Sequence, residues 1–326
     1  MQPESALSSS PTSPFLPAAL RWAAHPHRGA PTRTALWLLS VALILTACAP
    51  RATPPVFKIA IIAPFEGPSR PLGYSILHAV RLRVQAWNAS MPAPKIEIIA
   101  LNDDGDPELA ARLPAQLALD PAVLLVLGPP QGHTARAALG PLAAWGLPTL
   151  ALAPLPGEDE HTGPPAPAAV IPFAGDDSRL AAALADVAGA AAVAWQLPLA
   201  TPSIWVGDPL TLAELLITRP ELAAAAGSVA AEPALVAWAP LPEGGLIWAA
   251  AAPAALPADF IAAYTAAAGE PPTPMAGLAF AAVDAALPLL AQNQERAALG
   301  LALAELPLPP FHRYLRSADA CCQPLP

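Results

Sequence analysis

Lysine is almost missing from this chain: Lys58 and Lys95 are the only two in 326 residues. With 16 Lys and Arg against 25 Asp and Glu the net charge is -9, and no stretch gathers basic side chains. That argues against nucleic acid as a partner. Cysteine is scarce as well. Cys48 stands alone after an apolar run, and Cys321 and Cys322 are adjacent near the C-terminus. None of these spacings suits a zinc site or a CxxC redox pair. A strained ring, free thiols or pairing with another chain all stay open for the adjacent two. Catalytic signatures are missing too: there is no nucleophile elbow, no phosphate loop and no His/Cys/acid cluster at ligand spacing. The sequence therefore speaks against an enzyme and implies no cofactor. Asp103, Asp104 and Asp106 suggest a calcium loop at first sight, but no glutamate follows at the required spacing. They read as a solvated loop, and no metal is expected.

What the chain does have is room for two domains, a hydrophobic content of 55% and 45 prolines, which imply many loops and sharp element ends. Residues 56–63 form a short apolar run of branched side chains stopped by Pro64, as expected for a buried parallel strand. A loop with Gly67, Pro68, Pro71 and Gly73 follows, then Ile76, Leu77, Val80, Val84 and Trp87 recur at helical spacing. The order repeats: strand 95–101, helix 107–119, strand 122–127, helix 134–145, strand 148–153. Alternation at this spacing means a parallel sheet wrapped on both faces. Ligands in such sheets sit off the carboxyl ends of the strands, which are the loops 64–73, 102–106, 128–133 and 154–157.

Ahead of this stretch, residues 1–34 are polar and rich in Ser and Pro, with Arg28 and Arg33 near their end. The apolar run 35–45 is too short to span a bilayer comfortably. Leu45-Thr46-Ala47-Cys48 resembles the bacterial lipobox, which implies cleavage before Cys48 and lipid on its thiol. An ordinary signal peptide or an uncleaved anchor helix are the alternatives. Residues 48–55 then form a lipidated, Pro-stiffened tether that keeps the folded part outside the cytoplasmic membrane.

Three segments carry a more specific likeness: the strand and Gly-Pro loop from Lys58 to Pro68, the strand and acidic loop from Ile96 to Pro107, and the strand ending Gly128-Pro129-Pro130. Late in the chain Phe260, Tyr264, Gly269, Pro271 and residues 276–287 follow the same pattern. Together they resemble the branched-chain amino acid (Leu/Ile/Val) substrate-binding family of ABC transporters, periplasmic binding protein type 1. The resemblance implies an α/β protein of two Rossmann-like lobes with parallel sheets joined by crossing strands. It implies an N-terminal lobe of 56–170 with a return at roughly 252–292, a C-terminal lobe of 171–251, and a C-terminal segment 293–326 of unassigned order. About one βα unit of the second lobe is missing from the sequence, so that lobe is expected to be reduced. It should start with Asp176 or Asp177 capping a helix, then strand 191–195, a strand stretch 203–208 ending at Asp208, helix 210–216, strand 234–238 and crossover strand 245–250.

The implied function is extracytoplasmic capture of an amino acid or similar small polar molecule, handed to an ABC transporter permease from a lipid-anchored position. A degenerate sensor or protein-interaction module is the alternative. Such a ligand needs hydroxyl or N–H donors for its carboxylate and acidic groups for its ammonium. The family places carboxylate donors after the third strand, here Gln131, His133 and Thr134, with Gly132 where serine is common. Thr134 either meets the ligand or caps its helix, and His133 either meets the ligand or is solvated. Asp208 is the candidate ammonium partner or a helix cap before Pro209. Glu66 and Tyr74 flank the first loop, where Tyr74 lines the cleft or packs.

Overall fold

The computed structural model describes residues 55–155, 170–176 and 246–316, together with 37–38, 179, 182–184, 193–195, 204–206, 216–217, 224–226 and 323–324. Cys48, Asp208, Cys321, Cys322 and the proposed strand 234–238 lie outside the described residues.

The first sheet is built from β1 (Val56–Ala63), β2 (Lys95–Asn102), β3 (Val123–Leu127), β4 (Thr149–Leu150) and β5 (Val170–Ile171). Its order is β2-β1-β3-β4-β5, with every pair parallel. The strands connect through α1 (Arg70–Ser90), α2 (Pro107–Ala118) and α3 (Gly132–Ala144). Side chains of a strand alternate between faces, and β1 shows it cleanly. Ile59, Ile61 and Ala63 join one core, while Ala60 and Ile62 join the other with α2 and α3 residues such as Leu113, Leu117, Ala138 and Leu142.

Two details depart from the sequence reading. α1 begins at Arg70, well before Ile76, because Pro71 occupies the start of its first turn, where a fixed φ and a missing N–H cost nothing. Gly73 is therefore a helical residue. A Cβ there would stand 2.1 Å from the Pro64 carbonyl oxygen, so glycine is what lets the helix start against the end of β1. The fourth strand is also shorter than 148–153, being only Thr149–Leu150.

The core on the β1 face of Ile59 and Ile61 is completed from far along the chain. α4 (Ala258–Ala268), α5 (Pro274–Gln292) and α6 (Arg296–Ala304) supply Phe260, Tyr264, Leu278, Ala282, Leu287, Leu299 and Leu303 to it. The return to the first sheet thus extends past 292 to Ala304. α5 is long and apolar enough to cross a membrane, but its apolar residues are spent on this core. Arg83 of α1 pairs with Asp284 of α5 at 2.5 Å, and the Arg296 guanidinium donates to the carbonyls of Val123, Leu117 and Asp120.

A second sheet has the order β11-β10-β9-β8-β7-β6: β6 (Val193–Trp195), β7 (Ile204–Val206), β8 (Ala224–Ala226), β9 (Leu246–Ala251), β10 (Phe311–Arg316) and β11 (Gln323–Pro324). β6 to β9 are parallel, and β10 and β11 are added antiparallel. The chain therefore leaves the first sheet after β5, leaves the second after β9 to supply α4–α6, and returns as β10. The passages meet where Gly175 takes φ +82 and its missing side chain leaves room for the Phe311 ring. Leu155 N donates to Gly175 O at 3.1 Å, and Ala252 N donates to Pro310 O at 3.1 Å. The Asp176 carboxylate accepts from Arg179 N at 2.8 Å, the capping contact anticipated at the start of this passage.

Arg296 closes three backbone acceptors at one edge of the sheet, so Arg296→Ala should lower the unfolding free energy by about 1–3 kcal/mol. Urea titration monitored by circular dichroism measures this, and an unchanged midpoint would contradict it.

Candidate functional site

The strand order reverses at β1: the chain steps out to β2 on one side and then to β3 on the other. Loops leaving β1 and β3 therefore diverge at the carboxyl edge, the place where open parallel sheets bind their ligands. The residues there form one connected polar cluster. Phe65 N donates to Asn102 Oδ1 at 2.7 Å, tying the loop after β1 to the end of β2. Asp103 N donates to Ala63 O at 3.2 Å, and its Oδ1 accepts from Gly105 N at 3.0 Å. Asp104 (φ 53) and Gly105 (φ 70) turn the chain sharply, and Asp106 then caps α2 by accepting from Glu108 N and Leu109 N.

The loop after β3 reaches across to this turn. His133 Nε2 lies 2.8 Å from Gly105 O and serves there as a donor. Gln131 Nε2 donates to Ser69 Oγ at 3.3 Å, joining the third loop to the first. Gln131, and not Thr134, occupies the cap position of α3. Thr134 is the third helical residue, fully buried, and its hydroxyl donates to Gln131 O at 3.1 Å. The helix starts earlier than expected because Gly132 and His133 already have helical geometry. Gln131 makes no side-chain cap bond, and no acidic residue stands in the first turn.

Asp103 corrects the sequence reading most. It was expected in a solvated loop, yet it is fully buried, because its side chain turns inward to hold Gly105 N. Burial pushes its carboxyl up to about 6, opposed by the Gly105 amide and by His133. Asp103 Oδ2 and Gln131 Oε1 are buried atoms with no hydrogen-bond partner among the described residues.

Of the other candidates, Glu66 is exposed and Tyr74 is half-exposed. The Tyr74 ring meets Phe65 edge-on at 5.8 Å and lies 6.3 Å from the His78 ring, so it packs on α1 beside the first loop. Arg136 was not anticipated. A Cβ on Gly132 would stand 3.4 Å from Arg136 Nη1, so the guanidinium lies over the place where a side chain at 132 would be. The only sequence signal was its position four residues past a glycine at a helix start. Among the described residues, no group of three or more His, Cys, Asp or Glu side chains is disposed to hold a metal.

Residues 56–194 match the family model described as periplasmic binding protein. The fold is that of a periplasmic binding protein. The described architecture superposes on LivJ of Streptococcus pneumoniae, the branched-chain amino acid transporter substrate-binding protein solved with isoleucine, at a TM-score of 0.65. Identity is 13%, over 80% of this chain and 96% of that one. The leucine-binding protein LivK of Thermotoga maritima gives 0.65 at 12% identity, over 81% and 96%. A solute-binding protein from R. palustris solved with benzoate gives 0.60 at 16%, over 83% and 95%. No curated protein sequence matches the chain. The two-sheet α/β class expected from the sequence is thus the class observed, and these binding-protein neighbours carry their ligand-binding fold at very low sequence identity.

The raised Asp103 carboxyl sets a pH dependence. A folded value of about 6 lies above the ordinary 3.8, so the stabilising protonated form is fully favoured below pH 3.8 and lost as pH rises through 6. Asp103→Asn removes this penalty. The variant should be more stable than the parent above pH 6, by up to roughly 3 kcal/mol, with a flatter melting profile between pH 4 and 6. Parallel pH profiles for the two proteins would contradict the assignment.

Proposed function

We propose that this chain is an extracytoplasmic, lipid-anchored solute-binding protein of an ABC transporter. It captures a small carboxylate-bearing molecule, an amino acid or a close analogue, between its two lobes. The observation that carries this reading is the Gly132 rim. The first turn of α3 contains no acidic residue and its N–H groups face the loop, the Arg136 guanidinium lies over the place of a side chain at 132, and His133 sits alongside. A helix N-terminus and a guanidinium together suit a carboxylate. The isoleucine and benzoate of the neighbouring structures have that group in common.

In this reading Gln131 and Thr134 shape the loop from within, while His133, Arg136 and the first α3 amides meet the ligand. Glu66 and Tyr74 border the mouth. Asp208 is the proposed ammonium partner from the second lobe, and Cys48 is the proposed lipid attachment site. The second lobe is proposed to be reduced. Only eight residues separate parallel neighbours β6 and β7, where a dozen or so is usual for such a crossover. Closure of the lobes sequesters the ligand and presents the closed form to the permease.

A thermal-shift panel of amino acids, amides and small carboxylates tests this. At least one carboxylate-bearing compound should raise the melting temperature with the concentration dependence of mass action. Arg136→Ala should weaken that compound about tenfold or more, as loss of a charge-assisted donor does. A panel with no effect at millimolar concentration would reject transport binding and favour the sensor or interaction module.

A further inference from the structure

The opposite edge of the first sheet is unlike the ligand edge. Exposed apolar side chains gather there: Val56 at the start of β1, Leu119 at the end of α2 and Trp145 at the end of α3, which are 39%, 83% and 51% exposed. They follow the sheet order β1-β3-β4 along one edge. Lys58 N donates to Ala122 O at 2.7 Å, and Val126 N donates to Pro148 O at 2.8 Å, so the segments bearing Leu119 and Trp145 stand side by side with the start of β1.

Both lysines of the chain also stand here, but neither makes the edge basic. Lys58 pairs with Asp120 at 2.7 Å, and Lys95 is turned onto the carbonyls of Asn88 and Met91. Glu97 and Glu295 are exposed nearby. The edge is apolar with balanced charge, which suits neutral lipid better than an anionic or basic partner.

The tether decides what lies against it. Pro55 leads into β1 at this edge, and its carbonyl accepts from Lys95 N at 3.1 Å. Cys48 precedes Pro55 by seven residues, which reach no farther than about 25 Å fully extended. A lipid on Cys48 therefore keeps this edge within that distance of the bilayer. An exposed Trp at such a distance matches the preference of this side chain for the membrane interface, and exposed Leu beside it adds apolar area to bury there.

We propose that the amino edge of the first sheet, with Val56, Leu119 and Trp145, rests on the bilayer interface. The eight-residue β1 then lifts the carboxyl edge, and the ligand loops with it, roughly 25 Å into the aqueous phase. This orientation rests on the lipid-anchor reading of Cys48 and adds to it a defined contact face.

The test uses full-length protein expressed in bacteria, purified from membranes, weighed by mass spectrometry and reconstituted into phosphatidylcholine vesicles with brominated acyl chains. Bromine should quench part of the tryptophan emission. Trp145→Phe should remove most of the quenched component, and Leu119→Asp should reduce it at least twofold with no loss of melting temperature. Quenching that is the same in all three proteins, with Cys48 lipidated, overturns the orientation alone. A mass showing unmodified Cys48 overturns the anchor and the orientation together. Ligand-induced thermal shifts, measured on the same samples, report separately on solute binding.

Discussion

A parallel sheet exposes no face that water can tolerate, so both faces of the first sheet must be covered. The local βα connections do not suffice. α2 and α3 cover one face, but on the other α1 is alone until α4, α5 and α6 arrive from beyond residue 257. Since those helices follow β9 of the second sheet, the chain has to cross between sheets and cross back. The passages at Gly175, Ala252 and Pro310 are thus a consequence of covering β1. They also give the molecule its two-sheet form, on which the proposed capture by closure depends.

The same arrangement assigns different work to the two ends of β1. At the carboxyl end the chain reverses direction across the sheet, and the diverging loops are joined by polar contacts: His133 to Gly105, Gln131 to Ser69, Phe65 to Asn102. Two buried acceptors there, on Asp103 and Gln131, remain without partners among the described residues. Such groups cost free energy that a well-packed loop would not spend without reason. At the amino end Arg296 holds three carbonyls, and exposed side chains such as Leu119 and Trp145 are apolar instead.

Much of the first lobe was legible in the sequence. Strands β1, β2 and β3 are apolar runs rich in branched residues, and α2 is announced by Asp106 and Pro107. The misreadings have physical causes. Pro71 reads by residue type as part of a loop, but proline is at home in the first turn of a helix, and α1 begins there. Thr134 looked like a cap because its residue type suits one, whereas helical geometry at Gly132 moved the cap back to Gln131. Asp103 looked solvated because nothing in a run of acidic residues says which one turns inward. β8 is Ala224–Ala226, and alanine carries no strand signal. β10 gains its place by pairing with β9, a long-range contact with no local mark. Arg136 has no local mark of its own in the sequence, because only the fold of the helix start brings its guanidinium over Gly132.

The central claim is that the carboxyl edge of the first sheet, between the loops after β1, β2 and β3, is where a small carboxylate-bearing molecule is held. Hydrogen–deuterium exchange of the full-length protein, with and without the compound giving the largest thermal shift, tests it most directly. The account predicts slowed exchange in peptides covering residues 65–70, 102–106 and 131–136, with the amino-edge segments 118–122 and 145–148 unchanged. Protection confined to other segments, or none at saturating compound, would contradict it.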